Sequence, residues 1–343
     1  MRYPKFLKEG GCIGFLAPSF GCTTSPYKEA FDSALAKFEA LGHKTVLGPN
    51  CYADCGTGIS NVPEKCGSEV NKMFASDADI LISCGGGELM CEILPFVDFK
   101  ELKNEAPKWF MGYSDNTNLT FLLNTLCDTA SIYGPCAGSF GQSMWHESIE
   151  DAYKLLKGEK LQNVGYDMWE IDSKKSAEDP LATYNITEKR ELTGFVGALK
   201  RDNLSLKGRL TGGCLDCLAN LAGTRFDAAS EFAEKYAEDG ILWFLECCDL
   251  NPFAVRRAMW NLYEAGWFKY ASGFIIGRPF HYGQEEMGLD MEKAFLEIPS
   301  KMGLPVIMGA DIGHLPPMIP LISGCLAEAE LKGQEFLIRQ FLK

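Results

Sequence analysis

The feature that most constrains this chain is an alternation along most of its length. Apolar runs of strand length are followed by stretches with apolar residues at helical spacing. Residues 12–17 read as a buried strand ended by Pro18-Ser19. Residues 27–41 then place Phe31, Leu35, Phe38 and Leu41 on one helical face, with Gly42 as the stop. Further strands are expected at 44–47, 78–84, 108–113, 207–213, 241–245, 274–277 and 304–308. Helices are expected around 70–74, 88–94, 119–126, 215–221 and 254–265. Strands that alternate with helices return parallel, so the pattern predicts an α/β protein whose N-terminal part is a mostly parallel, doubly wound sheet. Residues 325–342 alternate with period two, as a β-hairpin does.

A chain of 343 residues has room for two domains. The alternation lapses between 165 and 204, where charge, Ser, Thr and Asn accumulate around Pro180 and Trp169 is the one large aromatic anchor. The expected organisation is an N-terminal α/β domain over 1–164, a connection or insertion over 165–204, and a C-terminal α/β domain over 205–343. Lys plus Arg number 33 against 46 Asp plus Glu, a formal net charge of −13, which argues against nucleic-acid backbones and anionic membranes as partners. No apolar run approaches the ~18 residues of a spanning helix, and residues 1–10 lack the apolar core of a signal peptide, so the expected location is cytoplasmic. The 14 cysteines then read as reduced thiols. Cys214-x-x-Cys217 has zinc-like spacing, but no second pair or histidine follows at a usual interval, which favours core packing. Neither a dinucleotide fingerprint nor a phosphate-binding Gly-Lys-Ser/Thr run is present.

Three polar residues share one placement. Ser114, Glu246 and His314 each lie just beyond the C-terminal end of an apolar strand, where open α/β sheets form their ligand crevices. Serine, carboxylate and histidine are the inventory of a nucleophilic triad: the histidine takes the serine proton and the carboxylate holds the imidazolium. Ser114 stands where a strand turns directly into a helix, with Gly112 two residues earlier, and the Asp115 N–H would face a developing oxyanion. Ser-Asp-Asn-Thr is equally a helix-capping sequence. Glu246 fits either the triad or an ion pair with Arg256 or Arg257, and His314 either the triad or an exposed loop. Of the other histidines, His43 reads as exposed in a turn, His146 lies in a polar region, and His281 follows Arg278-Pro279-Phe280. Gly85-Gly86-Gly87 offers free backbone N–H groups for an anion, or simply a tight turn. Cys84 ends a strand before those glycines and is an alternative nucleophile. A two-lobed small-molecule binder without turnover has the same outline.

Phe110-Met111-Gly112-Tyr113-Ser114-Asp115-Asn116-Thr117, Gly85-Gly86, Tyr133-Gly134-Pro135, Gly212-Gly213, Phe244-Leu245-Glu246 and Gly313-His314 occur in an order and spacing that cover nearly the whole chain. In this the sequence resembles the serine peptidase family of LD-carboxypeptidases and microcin C immunity proteins. The resemblance implies Ser114 as nucleophile, His314 as general base and acid, and Glu246 as its orienter. It implies an oxyanion hole from the N–H groups of Asp115 and Gly86, with Gly85 and Gly87 beside the substrate. It further implies a two-domain hydrolase, typically a homodimer, with the active site between the domains and no metal or organic cofactor. Cys84, Gly87 and Cys214 depart from the family pattern and touch the pocket. Two substrate classes are implied: murein tetrapeptides losing terminal D-alanine, ranked first, and peptidyl or aminoacyl nucleotides. For the second, Trp169 is a candidate to stack on the nucleobase, with core packing as its other reading.

Overall fold

The computed structural model describes residues 1–343. The chain begins with β1 (Cys12–Leu16), β2 (Lys44–Leu47), β3 (Ile80–Ser83), β4 (Trp109–Gly112) and β5 (Ser131–Tyr133), which lie parallel in the order β2-β1-β3-β4-β5. β3 and β4 are buried throughout and β1 nearly so, so they need continuous apolar runs rather than alternation. The edge strand β2 is mostly exposed. Strand order reverses between β1 and β3, which opens a crevice beyond their C-terminal ends. The two loops leaving there meet: Phe20 N–H donates to Gly86 O at 3.0 Å, and a Cβ on Gly87 would lie 2.0 Å from Ser19 Oγ.

The segment expected as a connection contains β6 (Gln162–Val164) at its border, then β7 (Met168–Trp169), β8 (Glu188–Lys189), β9 (Thr193–Val196) and β10 (Leu199–Arg201). It is therefore not a structureless link. β7 pairs with β8, closing off residues 170–187 as a loop, and β9 joins the second sheet antiparallel to a strand near the C-terminus. These strands are too short, and too rich in charge, to leave a periodic signal.

The remainder forms β11 (Asn203–Cys214), β12 (Ile241–Glu246), β13 (Ala271–Gly277), β14 (Glu285–Glu286), β15 (Leu289–Asp290), β16 (Pro305–Ala310), β17 (Leu321–Ser323), β18 (Leu326–Lys332) and β19 (Glu335–Phe341). The second sheet runs β10-β9-β16-β13-β12-β11-β18-β19-β6, with β16, β13, β12 and β11 parallel at its centre. β18 and β19 form the expected hairpin. The helix expected at 88–94 is instead a 3-10 segment, Met90–Phe96, whose Pro95 cannot donate to an α-helical ladder.

The sheets are stitched together twice. β17 pairs antiparallel with β5 in the first sheet, and β6 pairs with β19 in the second. One apolar core runs beneath both, joining Phe15 and Ile132 to Phe244, Ile275 and Ala329. The helix Thr117–Thr125 docks on β11, where Cys214 N–H donates to Thr117 Oγ1 at 3.0 Å. A Cβ on Gly213 would sit 2.6 Å from Thr117 Cγ2, so only glycine admits this approach. Cys214 is in register with Glu246 on β12, so this docking carries the end of β4 toward Glu246.

Candidate active site

Ser114 follows β4 and holds φ at +63°, a left-handed conformation that costs a non-glycine residue about 1–3 kcal/mol. Strain of this kind at a strand-to-helix turn lifts the side chain clear of the sheet. Ser114 Oγ lies 2.8 Å from His314 Nε2, and His314 Nδ1 lies 2.7 Å from Glu246 Oε2. Residues drawn from three strand ends thus form one hydrogen-bonded chain.

Each member is held from behind. Glu246 is fully buried, and its other oxygen accepts a 2.5 Å hydrogen bond from the Tyr133 hydroxyl. That hydroxyl also accepts from the Ser114 N–H at 3.3 Å. A Cβ on Gly313 would fall 2.6 Å from Glu246 Oε2, so glycine before the histidine makes room for the carboxylate. The His314 loop is clasped by Arg278, which donates to Asp311 Oδ1 at 2.5 Å, to Leu315 O at 2.9 Å and to Pro317 O at 3.0 Å. Arg256, considered above as a partner for Glu246, pairs instead with Glu297 at 2.9 Å.

Electrostatics couple the pair. Burial pushes the Glu246 carboxyl up, but the charge of His314 and hydrogen bonds from His314 and Tyr133 outweigh it, leaving the group below its usual range. Burial alone would lower the His314 pKa; the Glu246 carboxylate reverses this and carries it well above that of an ordinary imidazole.

Beside Ser114, the backbone N–H groups of Asp115 and Gly86 have no hydrogen-bond partner in the chain. The Asp115 side chain is pinned by Ser19 Oγ (2.5 Å), Met90 N–H (2.9 Å) and Asn118 Nδ2 (3.0 Å), which fixes the direction of its peptide. A Cβ on Gly86 would lie 3.3 Å from Ser114 Oγ, so this glycine is immediately beside the hydroxyl. The Gly85 carbonyl accepts from Asn116 Nδ2 at 2.8 Å and from Ser83 Oγ at 2.9 Å.

Two hollows flank the chain. One, of about 360 Å³, is lined by His314, Tyr113, Phe280 and, from the 170–187 loop, Glu170, Lys175 and Tyr184. The other, of about 90 Å³, is lined by Ser114, Asp115, Gly87, Glu88, Asp216 and Asp249. Trp169, a candidate substrate-stacking residue, lines neither. It is 3% exposed, donates Nε1–H to Lys189 O at 2.9 Å, and lies under the Arg278 guanidinium and against Tyr282. Core packing is its role here. Cys84 is buried beside Cys22 and Cys51, and burial holds its thiol well above the ordinary range, so it offers no thiolate for attack. The Cys217 thiol faces the Ser114 carbonyl at 3.7 Å. His43, expected to be exposed, is buried with Nε2 2.7 Å from the Tyr153 hydroxyl. His146 caps the helix Glu147–Leu156, and His281 is exposed.

Residues 13–134 match the profile of an LD-carboxypeptidase N-terminal domain, and residues 207–329 that of an LD-carboxypeptidase C-terminal domain. The chain belongs to the S66 peptidase family. Among curated relatives of this S66 member, the probable murein peptide carboxypeptidase of Bacillus subtilis is 26% identical over 329 residues, covering 94% of this chain and 90% of its own. The microcin C7 self-immunity protein MccF of Escherichia coli is 24% identical, covering 93% and 90%. The crystal structure of an MccF-like protein from Bacillus anthracis superposes with a TM-score of 0.82 at 20% identity, covering 99% of this chain and all of that one. That likeness establishes the shared two-domain α/β fold.

The sequence pointed to Ser114, Glu246, His314, Asp115 and Gly86, and the fold brings all five together. It gave no role to Tyr133, Arg278 or Lys175. Tyr133 closes a strand and reads as an ordinary buried aromatic, and Arg278 lies in a loop that nothing in the sequence ties to residue 311.

Proposed function

We propose that the protein is a serine hydrolase of amide bonds that releases terminal D-alanine from murein tetrapeptides through an acyl-enzyme. The observation that carries this reading is the unbroken chain Ser114 Oγ–His314–Glu246, with two unpaired N–H groups beside the hydroxyl. Ser114 Oγ attacks the scissile carbonyl while its proton passes to His314 Nε2. The oxyanion forms opposite the Asp115 and Gly86 N–H groups. As the tetrahedral intermediate collapses, the C–N bond breaks and His314 returns the proton to the departing amine. Water then repeats the sequence on the ester and restores Ser114. Glu246 keeps the proton on Nδ1 and stabilises the imidazolium. The name of the Bacillus subtilis relative supports the murein substrate.

One observation favours a second reading. The larger hollow exceeds what a single alanine requires and presents Tyr27, Tyr113, Tyr184 and Phe280. Those aromatics suit the nucleoside of a peptidyl or aminoacyl nucleotide. Incubating the protein with a murein tetrapeptide and an aminoacyl sulfamoyl adenosine together, followed by mass spectrometry, separates the two. Loss of D-alanine is expected. Release of the sulfamoyl nucleoside alone would replace the first reading with the second, and no product from either would remove both.

The proton bookkeeping gives a pH prediction. His314 acts as base only when neutral, and its pKa is raised by the Glu246 carboxylate. Activity is therefore expected to climb with pH along a limb centred above the ~6.5 of an ordinary histidine. A kcat/KM profile between pH 5 and 9 checks this; a midpoint at or below the ordinary value would contradict the coupling.

A further inference from the structure

The larger hollow contains a cation with nothing to neutralise it. Lys175 is partly buried, and its Nζ lies 5.5 Å from the centre of the Tyr27 ring and 4.0 Å from where a Cβ on Gly138 would stand; both residues line the hollow. The ammonium makes no hydrogen bond and no ion pair, and no carboxylate lies near enough to act on its charge. Glu170, the acid lining the same hollow, is engaged by the Asn185 N–H. Burial pulls the Lys175 pKa down, the response of a charge without a counter-ion. An ammonium has three protons to donate, and leaving them unmet in a half-enclosed site is costly unless a ligand meets them.

The chemistry of the proposed reaction says which part of the ligand that is. His314 must hand its proton to the departing amine, so the leaving fragment lies on the histidine side, in the hollow that His314 and Lys175 share. The smaller recess on the Ser114 side is lined by Glu88, Asp216 and Asp249, with no lysine or arginine. Burial and the charges of Asp249, Asp115 and Asp216 push the Glu88 carboxyl up, as crowded negative charge does. That recess repels a carboxylate. An anionic leaving fragment therefore has one electrostatically acceptable side.

Resting on the amide-hydrolase reading, we propose that Lys175 is the specificity residue that binds the anionic group of the leaving fragment, the terminal carboxylate of the peptide. It sits in the loop closed by β7 and β8, so the insertion that reads as a polar connection supplies the residue that makes an amide hydrolase a carboxypeptidase. A charge-assisted contact of this type changes kcat/KM by about ten- to a hundredfold.

The test compares one murein tetrapeptide as free acid and as C-terminal carboxamide, in the wild type, Lys175→Met and Lys175→Arg. The wild type is expected to favour the acid by about ten- to a hundredfold. Lys175→Met should slow the acid far more than the amide and so erase the preference, and Lys175→Arg should restore part of it. A Met variant that keeps the preference, or that slows acid and amide equally, overturns the assignment. So does a wild type that cleaves both equally, and in that case the hydrolase reading stands. If the wild type cleaves neither, that reading falls and the Lys175 assignment falls with it. A parallel arm with aminoacyl sulfamoyl adenosine identifies the source of the anion. A loss confined to the acid peptide assigns the carboxylate. A loss confined to the nucleoside substrate overturns that choice in favour of its sulfamate.

Discussion

Replacing Ser114 by alanine is expected to lower kcat by ~10⁶-fold, the scale seen when the nucleophile of a serine hydrolase is removed. The size of the loss follows from the lack of any substitute. Ser114 Oγ is the hydroxyl within hydrogen-bond reach of His314 Nε2, at 2.8 Å. The thiols nearby do not replace it: burial raises Cys84 well above the range in which a thiolate forms, and Cys217 and Cys248, the latter beside His314, are raised as well. The fold should tolerate the change. Alanine meets the same left-handed strain that serine already bears at φ +63°, and no packing atom beyond the hydroxyl is lost. Ser114→Gly separates the two effects: it should be equally inactive yet about 1 kcal/mol more stable, because glycine occupies that conformation without penalty. Thermal melts and turnover on the same preparations check both. An alanine variant that retains even one per cent of wild-type turnover would overturn the assignment of Ser114.

The placement of Ser114, Glu246 and His314 was legible because buried parallel strands advertise their own ends. Ile241 to Leu245 is an unbroken apolar run, so the charge that follows it must lie at the rim of the sheet. The same logic marks the end of β4 and, less sharply, the loop beyond β16. What the sequence could not convey is pairing across distance. Nothing local joins Tyr133 to a carboxylate on another sheet, or Arg278 to the Asp311 side chain before His314 and the carbonyls after it, yet these contacts set the geometry of the site. The loop closed by β7 and β8 was illegible for a different reason. Two-residue strands carry no period, and a polar composition does not distinguish a linker from a cavity wall. Trp169 shows the cost: the largest side chain of the stretch packs in the core, while Lys175, one charge among many there, lines the hollow.

The stitching of the two sheets bears on the site as well. Glu246 and Ser114 belong to different sheets, so their register depends on the contacts between the helix Thr117–Thr125 and β11 rather than on either sheet alone. Buried polar contacts add to this: Asn124 on that helix donates to Ser323 O on β17 at 3.3 Å and accepts from Thr211 on β11 at 3.4 Å. The hydrogen-bonded chain Ser114–His314–Glu246, assembled across such a seam, keeps its spacing only while the seam is closed.

Glu246→Gln should cost about 10⁴-fold in kcat, less than the loss of the nucleophile, by leaving the imidazole in the wrong tautomer. The surroundings dictate the outcome. Tyr133 donates to one Glu246 oxygen at 2.5 Å, so the glutamine will turn its carbonyl to the tyrosine and its amide NH₂ to His314. That NH₂ donates to Nδ1, the ring proton moves to Nε2, and Nε2 can then no longer accept from Ser114 Oγ. A second consequence is distinct from mere disruption. With the carboxylate gone, burial loses the main charge that holds it in check, leaving only the Cys248 thiol beside the ring, so the His314 pKa should fall and the acid limb of the residual activity should move to lower pH. The double variant Glu246→Gln, Tyr133→Phe sharpens the argument. Without the tyrosine donor the amide is free to turn its carbonyl to Nδ1–H, and part of the lost kcat should return, although the Tyr133 hydroxyl that accepts from Ser114 N–H is lost with it. Partial recovery in the double variant, together with the acid shift in the single one, would establish that Glu246 works through the tautomer and charge of His314. A Glu246→Gln enzyme that keeps wild-type kcat with an unmoved acid limb would assign the carboxylate to structure alone.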